Sequence, residues 1–263
     1  VFVFIVVAYL FYSRTLRHMF DDASLITSFI LLWLFSAYVF LPRVHRFLSR
    51  LYVPDYYIGR TRTSEGLLAD PVNIAVTGSR EELIDYMQRA GWELADPLTV
   101  KSVFRLIGAS IVGFSYKRAP VSSLYLFNRK QDLAFEKEVA GNPRSRHHVR
   151  FWRAAEGWCL PGGYNTDWLG AAVMDKRIGL SLFTGQITHK VDQETDKERD
   201  LVVNDLTHTG AAVQVVSNFN TAYRSKNGGG DNISTDGAMP FVTLPSSLHI
   251  EEEGCKHSGA WSG

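Results

Sequence analysis

NPRSRHHVRFWR, residues 142–153, decides the fold class because it reads at a period of two. Side chains alternate across a strand, so Arg146, His148, Arg150 and Trp152 share one face and His147, Val149 and Phe151 the other. Val149 and Phe151 assign the second face to a core. The first face then offers two guanidiniums around one imidazole. Guanidiniums fork onto phosphate or carboxylate oxygens, and an imidazole between them titrates near neutral pH. The face is a candidate anion site. The ordinary alternative is a charged strand face paired with acidic neighbours such as Glu136 or Glu138.

Working outward, VNIAV (72–76) reads as a buried strand. Ser79 and Glu82 form a capping box that opens a helix through Ala90, ended by Gly91. Its apolar face is Leu83, Ile84, Met87 and Ala90. A second helix is expected over 98–113. SLYLF and LAFE flank NRKQD as a hairpin. Further strands are expected near 157–161, 168–175 and 178–184, and a third helix over DKERDLVVNDLTH (196–208). AVQVVSNFNTAYR and AMPFVTL read as strands joined by SKNGGGDNISTDG. Helices and strands without regular alternation predict an α+β domain with a largely antiparallel sheet and a few packed helices. Its expected bounds are 70–245, with a disordered tail over 246–263.

Upstream, SLITSFILLWLFSAYVFL (24–41) has no charge over 18 positions, the lower end of a spanning helix. Residues 1–12 read as a partial helix, and no basic segment precedes them as a signal peptide requires. Residues 1–50 are therefore expected to be a membrane anchor, and 51–69 a juxtamembrane linker. Tyr52, Tyr56 and Tyr57 suit a headgroup-level belt, and Arg60 and Arg62 would make one face of an extended linker basic. Arg43, Arg46 and Arg50 follow the span, against Arg14 and Arg17 before it. This leans the soluble domain towards the cytoplasm by one arginine.

A second constellation lies in TGQITHKVDQETDKERD (184–200). Thr195 with Glu198 reads as another capping box, and Asp192 and Asp196 suit a helix start. His189 with Asp192 and Asp200 is the sharper, acid–base or metal reading. No metal-ligand spacing is matched, so no metal site is assigned, a divalent ion remaining a minor option. Gly162-Gly163 and the 227–231 stretch NGGGD read as hairpin turns. Gly78-Ser79 lacks the phosphate-loop lysine, and there is no G-x-S-x-G elbow. Cys159 and Cys255 show no zinc or disulfide framework, and Cys159 is expected to be a buried thiol in a strand. A net charge of +1 gives no electrostatic case for nucleic acid.

YVPDYYIGRTRTSEGLLADPVNIA (52–75), VSSLYLFNRKQDLAFEK (121–137), RHHVRFW (146–152), DKRIGLSLFTGQITHKVD (175–192) and ERDLVVNDL (198–206), in that order, resemble the LssY C-terminal domain family. The resemblance covers roughly residues 52–245. It implies a bacterial, membrane-attached domain, in some members fused to phosphatidic acid phosphatase-like membrane domains. By association it implies lipid-phosphate or envelope chemistry. It draws attention to Arg146, His147, His148, Arg150, Thr184, Gly185, Gln186, Thr188, His189, Asp192, Glu198, Arg199 and Asp200, and assigns none of them a catalytic role.

Three functions follow. The first is a binding module of the bacterial inner membrane, holding an anionic lipid or phosphorylated envelope intermediate with Arg146, His148 and Arg150, assisted by Arg60 and Arg62. The second is a phosphoester hydrolase, with His148 or His189 as acid or base and Asp192 or Asp200 as the supporting carboxylate. The third is a structural adaptor of a secretion or envelope complex. Catalysis requires His148 and His189 to converge in one pocket with an acid, such as Asp192 or Asp200, within hydrogen-bond reach, whereas binding requires only the basic face. Alternation places His189 with Ile187 and Val191 on the core side, which favours binding. On that reading Arg146→Ala and Arg150→Ala weaken binding with little loss of stability, while His147→Ala costs stability through packing.

Overall fold

The computed structural model describes residues 6, 8–14, 25–52, 57–95, 122–139 and 142–245. The helix expected over 98–113 and the tail over 246–263 lie outside the described residues. The fold is α+β with antiparallel sheets, as the element pattern predicts.

The principal sheet has eight strands. Along it run β13 (Ala212–Val216), β16 (Met239–Thr243), β3 (Ile74–Thr77), β11 (Trp168–Leu180), β8 (Asn142–Arg153), β7 (Leu133–Val139) and β4 (Glu93–Leu94). β12 (Ile187–Val191) pairs with the far half of β11. β16 and β3 run parallel, and the other pairs are antiparallel. Strand β8 alternates as read. Val149 and Phe151 are fully buried on one face, where they join Ile74, Phe135, Trp168 and the helices α4 (Arg80–Arg89) and α5 (Thr195–His208). The opposite face packs under a four-stranded sheet of β1 (Arg60–Arg62), β2 (Leu68–Pro71), β5 (Tyr125–Leu126) and β6 (Arg129–Lys130), and beside the β9 (Cys159–Leu160) and β10 (Tyr164–Asn165) hairpin. A third hairpin joins β14 (Tyr223–Lys226) to β15 (Asn232–Thr235).

Several local expectations hold. The Ser79–Glu82 capping box is formed in both directions and α4 buries Leu83 and Met87, a cap contribution of about 1 kcal/mol. Gly162 and Gly163 turn the β9–β10 hairpin, and residues 227–231 turn β14 into β15.

Others are corrected. Residues 168–175 and 178–184 are not two strands. One strand runs to Leu180 with a bulge between Asp175 and Arg177, so a local irregularity replaces the expected turn. The first hairpin turns at Phe127-Asn128, both in the left-handed region, rather than across NRKQD; two such residues form the tight turn that matches strand twist. The Thr195–Glu198 box does not form. Thr195 Oγ1 donates to Ser234 O, and Glu198 turns inward to His147. Tyr57 is not a headgroup residue, because its ring packs against Phe127 and Trp158. Cys159 is half-buried and disulfide-bonded, not a buried thiol.

At the N-terminus, helix α1 (residues 8–14) packs on α2 (Leu25–Phe35), with Phe11 stacked on Phe35 at 4.0 Å. A π-helical turn, Ser36–Phe40, joins α2 to α3 (Leu41–Tyr52). Within this assembly Ile26–Leu48 is one helix long and apolar enough to cross a membrane. Ile26, Phe29, Ile30, Leu31 and Leu34 are exposed along it. The π register has a consequence for Ala37. Leu41 N–H donates to Ser36 O, five residues back. The donor for Ala37 O in that register belongs to residue 42, which is proline and has no N–H.

Candidate functional site

The face of β8 that carries Arg146, His148 and Arg150 is a charged layer between the two sheets, and every one of these cations meets a carboxylate. Arg146 Nη1 lies 2.7 Å from Glu136 Oε2 on β7. Arg150 Nη1 lies 3.4 Å from Asp70 Oδ2, and its other nitrogens donate to Ser122 O and Oγ. His148 is buried between two acids, its Nδ1 2.9 Å from Asp175 Oδ2 and its Nε2 3.5 Å from Glu136 Oε2. Neither contact is aligned as a hydrogen bond, so these are ion-pair contacts. The register explains the set. Val173 and Glu136 sit directly across from His148, and Asp175 sits across from Arg146, one diagonal step away.

Asp175 is the hub. Its Oδ2 is 2.8 Å from His189 Nδ1 as well as 2.9 Å from His148 Nδ1. The bulge at Asp175–Arg177 lies opposite Lys190–Val191. Bulges raise local twist and re-aim side chains. That bulge is in β11, and His189 keeps the face of Val191, which sits opposite Asp175; the side expected to be core is a cavity wall, where His189 is 48% exposed and reaches the carboxylate. Burial, the largest single influence, would lower the pKa of His148; the charge of Asp175 and the contacts to Asp175 and Glu136 together outweigh it and raise that value to about 9. Burial works against ionised Asp175 too, yet the His148 charge, with both imidazoles as partners, holds it well below the usual carboxylate range. Asp70 behaves oppositely. Burial pushes it up, and Arg150 only partly offsets that.

These groups border a cavity of about 480 Å³. Asp70, Arg150, Asp175 and His189 supply charge, together with Glu65. Ser181, Thr184, Gln186 and Thr188 form the wall contributed by the β11–β12 hairpin, and Gly228 and Gly229 form another. Gly228 is needed there because a Cβ would sit 2.5 Å from Thr63 Cγ2. The hairpin wall is anchored to the N-terminal helix. Trp33 Nε1 donates to Gly185 O at 3.1 Å, and Gln186 Nε2 donates to Ala37 O at 3.0 Å.

The other candidates fall elsewhere. Asp192 pairs with Lys176 at 2.8 Å and caps Glu194 N. Asp200 is bound by Arg199 Nε at 2.8 Å. Neither borders the cavity. Arg60 is engaged by Ala69 O, Ser225 Oγ and Lys226 O and stacks over Tyr223. Arg62 is in β1, paired with Leu68 and Tyr125. His147 lies on the core side, 2.8 Å from Glu198 Oε2. Sequence reasoning missed Asp175 and Asp70. Asp175 stands one register step from the histidine face, a signal that needed the β8–β11 pairing. Among the described residues, no group of three or more His, Cys, Asp or Glu is gathered to hold a metal ion.

Fold and cavity together define an α+β domain with a histidine–carboxylate pocket, seated against a helix long and apolar enough to cross a membrane. The chain belongs to the LssY C-terminus family, whose model matches residues 50–239. No curated protein and no solved structure matches it.

Proposed function

We propose that the domain is an acid–base hydrolase for an anionic phosphoester of the bacterial envelope, held at the inner membrane by its N-terminal helix. The observation that carries this reading is the meeting of His148 and His189 on one Asp175 oxygen, beside a cavity that Arg150 also borders. The shared acid is Asp175 rather than Asp192 or Asp200, and of the two imidazoles it is His189 that lines the cavity. With Nδ1 held by Asp175, the other ring nitrogen of His189 is the exchangeable base. It takes a proton from water as the water oxygen bonds to phosphorus. The ester bond breaks, and the leaving oxygen takes a proton from Asp70, the carboxyl that burial makes the weaker acid. Arg150 offsets charge on the phosphoryl oxygens. With Asp70 protonated and His189 neutral, Glu65 and Asp175 still stand against Arg150 around the cavity, so a singly charged diester suits it better than a dianionic monoester.

A binding module for the same phosphate-bearing lipid or intermediate rests on Arg150 alone, since Arg146 faces Glu136 and Arg60 is held within the fold. Association with phosphatidic acid phosphatase-like membrane proteins is the partner that the family resemblance suggests. The test uses the full chain in detergent with bis(p-nitrophenyl) phosphate and p-nitrophenyl phosphate, with and without divalent metals. Turnover of the diester that falls about 100-fold or more in His189→Ala is expected. Equal turnover in wild type and His189→Ala overturns the assignment. Saturable binding of phosphatidylglycerol without turnover supports the binding module, and no response to either supports the adaptor.

A further inference from the structure

We propose that the β11–β12 hairpin, residues 180–186, is a wedge inserted into the bilayer, and that the pocket takes its phosphoester from a membrane lipid presented beside it. The substrate half of this inference rests on the hydrolase reading above; the wedge does not.

Two independent observations meet at this hairpin. The first is its surface. Leu180, Leu182 and Phe183 are 54%, 70% and 39% exposed at the tip of a strand that outruns its neighbours. The N–H groups of the tip are satisfied from within. Leu182 N–H donates to Gly229 O, Gly185 N–H to Ser181 O, and Ser181 Oγ accepts from Phe183 and Thr184 N–H. An apolar tip whose backbone donors are already paired lowers the cost of entering a hydrocarbon environment.

The second observation is the seat. Pro42 leaves the Ala37 carbonyl without an intrahelical donor, and Gln186 Nε2 supplies one. Trp33 Nε1 supplies the matching bond to Gly185 O. An unpaired carbonyl inside a bilayer costs several kcal/mol, so the hairpin completes the helix at the point where proline breaks it. The helix also sets the depth. Arg43 is the first charged residue after the apolar run. Ala37 lies six residues before it, about 9 Å along a helix, which is roughly a third of the way into a hydrocarbon core of about 30 Å. The hairpin that touches Ala37 and Trp33 is therefore held beside the apolar part of the helix. Its exposed leucines and phenylalanine belong to a hairpin bonded to a helix that itself exposes Ile26, Ile30 and Leu34.

The same hairpin forms a cavity wall through Ser181, Thr184 and Gln186. A headgroup entering the pocket can thus keep its acyl chains in the leaflet alongside Leu182 and Phe183. The substrate class is a phosphodiester lipid.

The test has two arms. In the first, benzoylphenylalanine replaces Leu182, and separately the exposed Glu81 of α4, in full chain reconstituted in phosphatidylglycerol vesicles. Photolysis is expected to attach phospholipid at position 182 and not at 81. Absence of lipid adducts at 182, or equal adducts at both, overturns the wedge whatever the chemistry of the pocket. In the second, Leu182→Asp with Phe183→Asp is expected to lower turnover of vesicle phosphatidylglycerol at least tenfold while sparing soluble bis(p-nitrophenyl) phosphate. Equal loss on both substrates, or loss on neither, refutes delivery from the bilayer. If wild type turns over neither substrate, the hydrolase reading and the substrate assignment both fail, and the first arm still decides the wedge.

Discussion

Asp175→Asn tests whether the buried charge layer works as described, because it removes charge while nearly preserving shape. Against burial, Asp175, with a smaller share from Glu136, raises His148 from 6.5 to about 9. At roughly 1.4 kcal/mol per pH unit, that difference corresponds to about 3 kcal/mol of folding free energy. The sign follows from which state holds the proton more tightly. His148 binds its proton more tightly when folded, so its contribution is complete below 6.5 and fades as pH rises through about 9. Asp175 is held below the usual carboxylate range by that same pair, so the stabilisation is present above about 3.8, is lost as pH falls through the depressed value, and ends at high pH when His148 loses its proton. Wild type should therefore exceed Asp175→Asn by about 3 kcal/mol at pH 6, a melting difference of about 6–12 °C for a domain of this size. The gap should close by pH 10, where His148 is neutral in both proteins. Thermal unfolding in detergent at pH 6, 8 and 10 measures it. A gap that is the same at pH 6 and pH 10 would refute the ion-pair account, because a packing defect has no reason to titrate.

Arg146→Ala should destabilise by about 3 kcal/mol or more, since it strips the closest cation from a carboxylate, Glu136, that is 2% exposed. Adding Glu136→Gln should recover part of the loss in denaturant titrations, contrary to the expectation that this arginine could be removed at little cost. Pro42→Ala restores an N–H near Ala37 O, so Gln186→Leu should cost less stability in that background than alone. A double-mutant cycle reads the coupling, and additivity would sever the link between hairpin and helix. Cys159 should resist maleimide until a reductant is added. A persistent disulfide suits an oxidising compartment, so protease shaving of intact and inverted vesicles should cut the domain on that side, against a cytoplasmic lean that one arginine supports.

The fold was legible where local chemistry and burial agree. Ser79 with Glu82 needs no tertiary knowledge to begin a helix, and Val149 with Phe151 needs only a period of two to choose a core face. Legibility failed where a distant group outbid a local one. Thr195 and Glu198 have the spacing of a capping box, yet Ser234 O takes the hydroxyl and His147 takes the carboxylate. The residues 168–184 looked like two strands because Asp175-Lys176-Arg177 interrupts the apolar pattern. In the sheet that interruption is a bulge facing β12, and the strand continues through it.

The site shows the same division at higher stakes. Alternation placed Arg146, His148 and Arg150 together correctly, but the meaning of that face depended on its neighbours. An exposed row of guanidiniums binds anions. The same row buried under a second sheet must be matched by acids, because an unpaired charge there costs several kcal/mol. Glu136, Asp175 and Asp70 meet that requirement from three separate strands. Burial therefore turned a candidate anion face into an alternating ion-pair layer, and left chemistry to its margin. At the cavity edge His189 is half-exposed, and Arg150 and Asp70 line the same space. His189 reaches that edge because the face it shares with Val191, assigned to the core by its period, is a cavity wall. The period that found the basic strand is thus the period that hid the residue best placed to act.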